Sequence, residues 1–142
     1  MFHFQLVSLS GKKFDEEVYE VILPTLDGEI GVLQDHMPLV SVAKNGVIAV
    51  RRQPKDPDRE REYFATNGGA IEVADNTLRV LVDEADHAED INEAEAQKAL
   101  SRAEKMKAEA KDQISLEHAQ TLVDRQAVRL QVAALKRRHQ RR

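Results

Sequence analysis

Five histidines, at positions 3, 36, 87, 118 and 139, are the residues whose chemistry would be easiest to use. No two stand at the i, i+4 spacing that aims two imidazoles from one helix face at a metal, and the chain has no cysteine to complete such a set. The lack of cysteine also excludes thiolate catalysis and a disulfide framework, and fits a reducing compartment. Carboxylate pairs such as Glu16-Glu17 and Asp83-Glu84 could in principle do acid–base work. In a chain that is 32% charged they are expected on the solvated surface. Ser8, Ser10, Ser41, Ser101 and Ser115 sit in no nucleophile-elbow context. Gly28-Glu29-Ile30-Gly31 and Gly68-Gly69 do not lead directly into a helix, so neither predicts a phosphate loop. These patterns predict no independent catalytic centre and no metal site.

Composition narrows the class further. The 142 residues bound the chain to one domain or two small ones. Aromatics are 4% of the sequence and tryptophan is absent, which leaves little for base stacking, and the net charge of −4 argues against a general nucleic-acid binder. No apolar run approaches the ~18 residues of a membrane span. The opening Met1-Phe2-His3-Phe4-Gln5-Leu6 lacks the basic-then-apolar pattern of a secretory signal.

Charge and chain breakers divide the sequence. Residues 1–85 hold 9 Lys+Arg against 15 Asp+Glu, net −6, whereas residues 86–142 hold 12 against 10, net +2. Every glycine and proline lies at or before Gly69, so the last 73 residues have neither. A change of architecture is expected within Asp83–Asp90.

The first part reads as short strands. Phe2, Phe4 and Leu6 alternate with His3 and Gln5, the period of a half-buried strand. Glu17–Leu23 is a second run, stopped by Pro24; Gly28 and Gly31 bracket a turn. Val32-Leu33, Leu39–Val42, Val47–Val50, Tyr63–Ala65, Ala70–Val73 and Thr77–Val82 follow, with turns at Asn45-Gly46 and Asp75-Asn76. Strands at about ten-residue spacing predict an antiparallel sandwich or barrel. Gln53–Glu62, with two prolines and seven charged residues, reads as a solvated loop.

The second part reads as helix. Asp90 with Glu93, or Asn92 with Glu95, supplies an N-terminal capping box. Ala96, Ala99, Leu100, Ala103, Met106, Ala110 and Ile114 share one face. Leu116, Ala119, Val123, Ala127, Leu130 and Ala134 form a second stripe, with Arg125, Arg129 and Lys136 on the opposite side. The two phases do not join cleanly, which places a break within Asp112–Leu116. No glycine or proline enforces it, so a hairpin and a nearly continuous rod both fit the local sequence. Val128, Val132 and Leu135 add apolar surface well away from the second stripe, which predicts a second partner or a second conformation. The alanine-rich seam buries little area, so the helices are expected to lean on the strands or on another chain. From Arg125 onward there are seven basic residues and no acid. That row suits either a solvated face complementing the helix dipole or a dock for an acidic surface.

Leu23-Pro24, Gly28-Glu29-Ile30-Gly31-Val32-Leu33, His36-Met37-Pro38-Leu39, Gly46-Val47-Ile48 and Asn67-Gly68-Gly69-Ala70-Ile71-Glu72-Val73, followed by the acidic segment and an alanine-rich helix pair, form one ordered set. This set resembles the epsilon subunits of bacterial F-type ATP synthases over essentially the whole chain. The resemblance implies an α+β architecture: an N-terminal β-sandwich that binds the rotor (1–86) followed by a C-terminal two-helix hairpin that regulates (87–142). It implies a non-catalytic rotor subunit, peripheral at the cytoplasmic face of the inner membrane, that binds the gamma subunit and the c-subunit ring and couples proton flow to ATP synthesis. By the same resemblance Glu29 and His36 face the c ring. Arg125, Arg129 and Lys136 form the basic stripe that approaches the alpha and beta subunits when the hairpin extends and blocks ATP hydrolysis. Relatives that bind ATP carry Ile/Leu-Asp-x-x-Arg-Ala at the start of the first helix. Here the corresponding residues are Ile91, Asn92, Glu95 and Ala96, with negative charge where a phosphate needs positive, so ATP is not expected to be a cofactor. The alternative functions are a free nucleotide-sensing module, an enzyme on a small sandwich, and nucleic-acid binding through the Lys136–Arg142 tail.

Overall fold

The computed structural model describes residues 1–140; Arg141 and Arg142, the end of the expected basic tail, lie outside the described residues. Alternation governs the first strand, β1 (Phe2–Ser8), whose Phe2, Phe4 and Leu6 are buried while His3 and Gln5 are not. It is followed by β2 (Gly11–Val18), β3 (Glu20–Thr25), β4 (Gly28–Val32), β5 (Leu39–Ala43) and β6 (Gly46–Arg51). Then come β7 (Glu62–Thr66), β8 (Gly69–Ala74), β9 (Thr77–Val82) and the short β10 (Ala85–His87). Two helices, α1 (Glu93–Glu109) and α2 (Gln113–Gln140), end the chain.

The strands run in the order β10-β7-β6-β3-β5-β8-β9-β1-β2, with β4 attached to β3. The path folds over on itself because β3 serves both layers. Its Glu20–Ile22 pair with β6, and Thr25 pairs with Ala43 of β5. Between the layers lies one core, built on Phe2, Phe4, Leu6, Val21, Leu23, Ile48, Phe64, Ile71 and Leu78. At roughly 1.5–3 kcal/mol per fully buried large side chain, this core is the main source of stability.

The sandwich and the helix pair agree with expectation, and four details differ. β1 and β9 pair in parallel, the one parallel ladder among the described strands. They are distant in sequence, so no hairpin dictates their direction. Pro24 lies inside β3 rather than ending the run, where its carbonyl accepts from Lys44 N at 3.0 Å. Gly28–Val32 is itself a strand, and the turn sits at Leu26-Asp27. The acidic segment after Asp83 contributes β10, which pairs with β7.

The turn at Asp75-Asn76 has φ of 50° and 57°, the left-handed pair of a two-residue hairpin turn. Gly68 (φ 96°) and Gly69 bring β8 against its neighbours: a Cβ on Gly69 would lie 2.0 Å from the Leu81 carbonyl oxygen, and one on Gly68 2.8 Å from that of Ala43. Only hydrogen fits there.

The helices form a hairpin. Asn92 caps α1, its Oδ1 accepting from Glu95 N at 3.0 Å, so of the two possible caps the Asn92–Glu95 pair is used. Asp112 performs the same service for α2, accepting from Ser115 N at 2.7 Å. A side-chain cap therefore makes the break that no glycine or proline enforces. The seam is alanine: Ala96 and Ala103 on α1 and Ala119 and Ala133 on α2 are buried. Met106 and Ile114, expected on the first stripe, are exposed, because the seam ends before the turn and Ile114 belongs to α2. Ala127, expected on the second, is exposed as well.

The outer face of β3, β6 and β7 is covered. Val128 and Val132 of α2 pack on Ala49, Tyr63 and Ala65, with Ile22, Val47, Ile91 and Leu135 around them. The extra apolar side of α2 thus finds its partner in the sandwich itself.

Candidate functional site

Helical spacing places Arg125, Arg129 and Lys136 along one flank of α2, beside the docked Val128 and Val132, with Arg137 about 100° further round on the side of α1. That flank lies over the acidic connection between sandwich and hairpin. Arg125 pairs with Glu84, and Arg129 Nε lies 3.3 Å from Asp86 Oδ2. Lys136 Nζ lies 2.7 Å from Glu89 Oε2, and Arg137 2.9 Å from Glu93 Oε1. Of these, Lys136–Glu89 is also an aligned hydrogen bond. Lys136 Nζ, donating to Glu89, holds that carboxyl below its ordinary value of 4.5. Glu84 Oε2, Arg125 Nε and Arg129 Nε are buried without a hydrogen-bond partner, so the Arg125–Glu84 and Arg129–Asp86 pairs are charge contacts rather than directed hydrogen bonds. The side chains of the four cations range from 21% to 54% exposed, so the row is partly desolvated but still reached by solvent. The sequence located three of these cations and left their partners open. The carboxylates precede them by about forty residues, and docking alone brings the two rows together.

Ile91, Asn92, Glu95 and Ala96 are all occupied structurally. Ile91 packs against the second cluster, Asn92 caps α1 through Glu95 N, and Ala96 is fully buried in the helix seam. Glu95 is exposed.

Glu29 and His36 stand toward opposite ends of β4, Glu29 beside the Leu26-Asp27 turn and His36 beyond Val32. Glu29 is exposed opposite Pro24. His36 is half-buried, its Nδ1 donating to the Met37 carbonyl at 2.7 Å. The loop that carries it is tied down. The Met1 ammonium donates to Gln34 Oε1, Asp35 N donates to Asn76 Oδ1 at 2.8 Å, and Asn76 Nδ2 donates to Met1 O at 3.1 Å. Leu33 and Met37 project from this fixed loop into solvent, Met37 at 72% exposure. Sequence reasoning did not single them out, although apolar residues in a Gly/Pro-flanked turn were the available signal.

The outer face of β5, β8 and β9 is bare. Register aligns Val42 with Ala70 and Ala70 with Leu81, one apolar row, beside a second row of Val40, Glu72 and Arg79. Val40 is 83% exposed, and Val42 and Leu81 about half.

A cleft of about 430 Å³ lies where the Gln53–Glu62 loop, β7 and the last turns of α2 meet, with Arg61, Glu62, Tyr63 and His139 among its walls. Several of its charges are paired within the chain: Arg61 faces Glu20 and Asp58, Glu62 faces Arg52 and His87, and Lys136 faces Glu89, while Arg61 Nε and His139 Nδ1 are buried without a hydrogen-bond partner. Tyr63 Oη and His139 Nε2 lie 3.3 Å apart. Among the described residues, no three His, Asp or Glu side chains converge as metal ligands, and no helix is long and apolar enough to cross a membrane.

A sandwich with one bare face and one face clasped by a helical hairpin offers surfaces on which other proteins can seat. Comparison with known proteins places it. Residues 1–88 match the family described as ATP synthase, Delta/Epsilon chain, beta-sandwich domain. The ATP synthase epsilon chain of Gloeobacter violaceus is 35% identical over 120 residues, spanning 84% of this chain and 87% of that one. The corresponding chain of Nitratidesulfovibrio vulgaris is 32% identical over 130 residues, 92% and 93% respectively. The fold is shared with a chain of the Euglena gracilis mitochondrial ATP synthase assembly, at a TM-score of 0.76 and 21% identity over 92% of this chain and 79% of that one. The chain belongs to the ATP synthase delta/epsilon family, and its relatives there are epsilon chains.

Proposed function

We propose that this chain is a non-catalytic rotor subunit of a proton-transporting F-type ATP synthase, seated peripherally on the cytoplasmic face of the inner membrane. Residues 1–86 act as the foot and residues 87–142 as the regulatory hairpin. Family membership supports the assignment, and the observation that carries the foot's role is the bare apolar row Val42–Ala70–Leu81 with Val40 beside it. Contiguous exposed apolar surface on a folded domain marks an interaction site. The gamma subunit is the partner we assign to it, in keeping with relatives named as epsilon chains.

The β4 loop is assigned to the c ring. Glu29 and His36 supply its polar contacts, and Leu33 and Met37 its apolar ones. The pinning of that loop by Met1, Asn76 and Gln34 suits a contact that transmits torque, since a loose loop dissipates it. The hairpin supplies regulation. Released from the foot, it presents Arg125, Arg129 and Lys136 to acidic surfaces of the alpha and beta subunits and restrains ATP hydrolysis. Both states are populated positions of one element rather than new folds. ATP plays no part in holding the docked state, because Asn92 is engaged as a cap and Glu95 repels phosphate.

Co-purification with gamma tests the foot: a folded chain that never associates with gamma refutes the assignment. Deleting the residues after Asp86 and assaying ATP hydrolysis by the assembled complex tests the hairpin. Increased hydrolysis is expected; unchanged hydrolysis removes the inhibitory part alone. Equilibrium titration with ATP is expected to show no micromolar binding.

A further inference from the structure

The cations assigned to an acidic partner are, in the docked chain, already facing acids of the chain itself. Glu84, Asp86, Glu89 and Glu93 meet Arg125, Arg129, Lys136 and Arg137 in the same order along the sequence. The acids span the connection from the end of the sandwich, through β10, to the first residue of α1. The bases span just over three turns of α2. We propose that this connection is an intrachain latch: its carboxylates occupy the basic face of α2, and the hairpin is released only when those ion pairs are exchanged for an external acidic surface or screened by salt. The inference rests on the reading above that the hairpin can leave the foot.

Three observations converge on it. First, the apolar part of the dock is small. Val128 and Val132 are its buried anchors on α2, and the Ala96, Ala103, Ala119 and Ala133 seam holds the hairpin to itself, not to the sandwich. Charge therefore has leverage on the balance. Second, the side chains of the four pairs are 21–64% exposed and mostly unaligned, and the buried atoms among them, Arg125 Nε, Arg129 Nε and Glu84 Oε2, make no hydrogen bond that release would break. A solvent-reachable pair can be traded for another without leaving a charge stranded in a dry interior. Third, Arg125, Arg129 and Lys136, the cations assigned to an external partner, cannot serve two acidic surfaces at once, so docking and external engagement exclude each other through shared residues. The latch deepens the inhibitory switch by naming what a partner must displace.

The full-length chain lends itself to the test, since it contains no cysteine. Glu72→Cys and Ala127→Cys, both exposed positions, place one label on the bare face of the sandwich and one on the outside of α2. Three further backgrounds are compared with the parent. The first neutralises the latch (E84Q, D86N, E89Q, E93Q). The second changes net charge equally elsewhere (D27N, E104Q, E109Q, E117Q). The third, Val132→Asp, disrupts the apolar dock and establishes that the labels read undocking. Distance distributions are collected from low to high salt.

The latch predicts that the undocked population rises about tenfold or more on neutralising the four acids, and that it rises with salt in the parent but not in the neutralised chain. The remote neutralisation leaves it within about twofold. If Val132→Asp undocks while the latch variant stays docked and salt changes nothing, the latch is wrong and hairpin release survives. If no variant undocks, the hairpin is fixed to the foot and both readings fall. Retention of the sandwich melting transition in each variant separates undocking from unfolding.

Discussion

The two outer faces of the sandwich carry similar residues and meet opposite fates. On β6 and β7, Val47, Ala49, Tyr63 and Ala65 point outward and are covered by α2. On β5, β8 and β9, Val40, Val42, Ala70 and Leu81 point outward and are covered by nothing among the described residues. The covered face is held by a modest apolar contact plus a row of ion pairs, a combination that can be undone. The bare face is strand-built and tied by ladders on both sides of β8. The proposed function uses both faces: a fixed seat for the gamma subunit on the bare one and a releasable hairpin on the covered one. Both patches lie on one sandwich, and α2 covers only one of them.

The strongest way to break the bare face is from beneath. Gly69→Ala sets a Cβ 2.0 Å from the Leu81 carbonyl oxygen, and the nearest atoms are all backbone of Leu81 and Val82, with no flexible side chain to yield. Separation of β8 from β9 is expected to cost about 3 kcal/mol, read as a lower chemical-denaturation midpoint and a loss of gamma binding together. A variant as stable as the parent would show that the two strands are less tightly registered than their pairing indicates.

On the covered face the corresponding change is Val132→Asp. It places a carboxylate in a fully buried position against Ala49 and Ala65, and is expected to abolish docking at a cost of about 2–3 kcal/mol to that contact. The sandwich core, on the other side of the sheet, should melt as in the parent. Undocking measured by label distance without loss of the sandwich transition is the expected result. A chain that unfolds as a whole would mean that the helices and strands are one cooperative unit.

Val42→Lys combined with Leu81→Lys sharpens the contrast by leaving the fold alone. Both side chains are about half exposed, so stability should change by no more than about 0.5 kcal/mol. Gamma association should fall at least tenfold, measured by titration against purified gamma. Undiminished association would move the seat to another surface.

The legibility of these two faces in the sequence was unequal. The period of two in Phe2–Leu6 and the Asp75-Asn76 turn report local physics, and the strands built on them followed. β2 was hidden because only Phe14 and Val18 of its eight residues are buried. β10 was hidden because Ala85–His87 looks like acidic linker and becomes a strand only by pairing with β7. Helical spacing revealed that α2 has two apolar sides, yet it could not say that the second side meets Tyr63 and Ala65. The basic row was visible from its spacing, whereas its carboxylate partners were not, since charge complementarity between distant segments has no local period. Val40, Val42 and Leu81 looked like ordinary strand residues, because burial on the inner face and exposure on the outer are decided by register across strands.

The smallest effect probes the covered face through protons. Glu89 is held below its ordinary value of 4.5 chiefly by the hydrogen bond from Lys136, against a desolvation penalty that exceeds each of the further lowering effects of the Lys136 and His87 charges. A carboxyl whose value is depressed when docked stabilises docking fully above its ordinary value and loses that contribution as pH falls through the depressed one. The undocked population should therefore stay flat from neutral pH down to about 5 and rise below it, so far as Glu89 is concerned. Glu84, Asp86, Glu93 and His87 are ionisable side chains close by, so the quantity to measure is the difference between the parent and Glu89→Gln. That difference should be present at neutral pH and vanish in acid, where the parent's carboxyl is also neutral. Because Glu89 is largely exposed and screened by solvent, the difference should be a severalfold change in population at most. If it persisted unchanged into acid, Glu89 would act through its shape and not its charge. The clasp over the covered face would then be held by packing, and the two faces would differ only in what happens to lie on them.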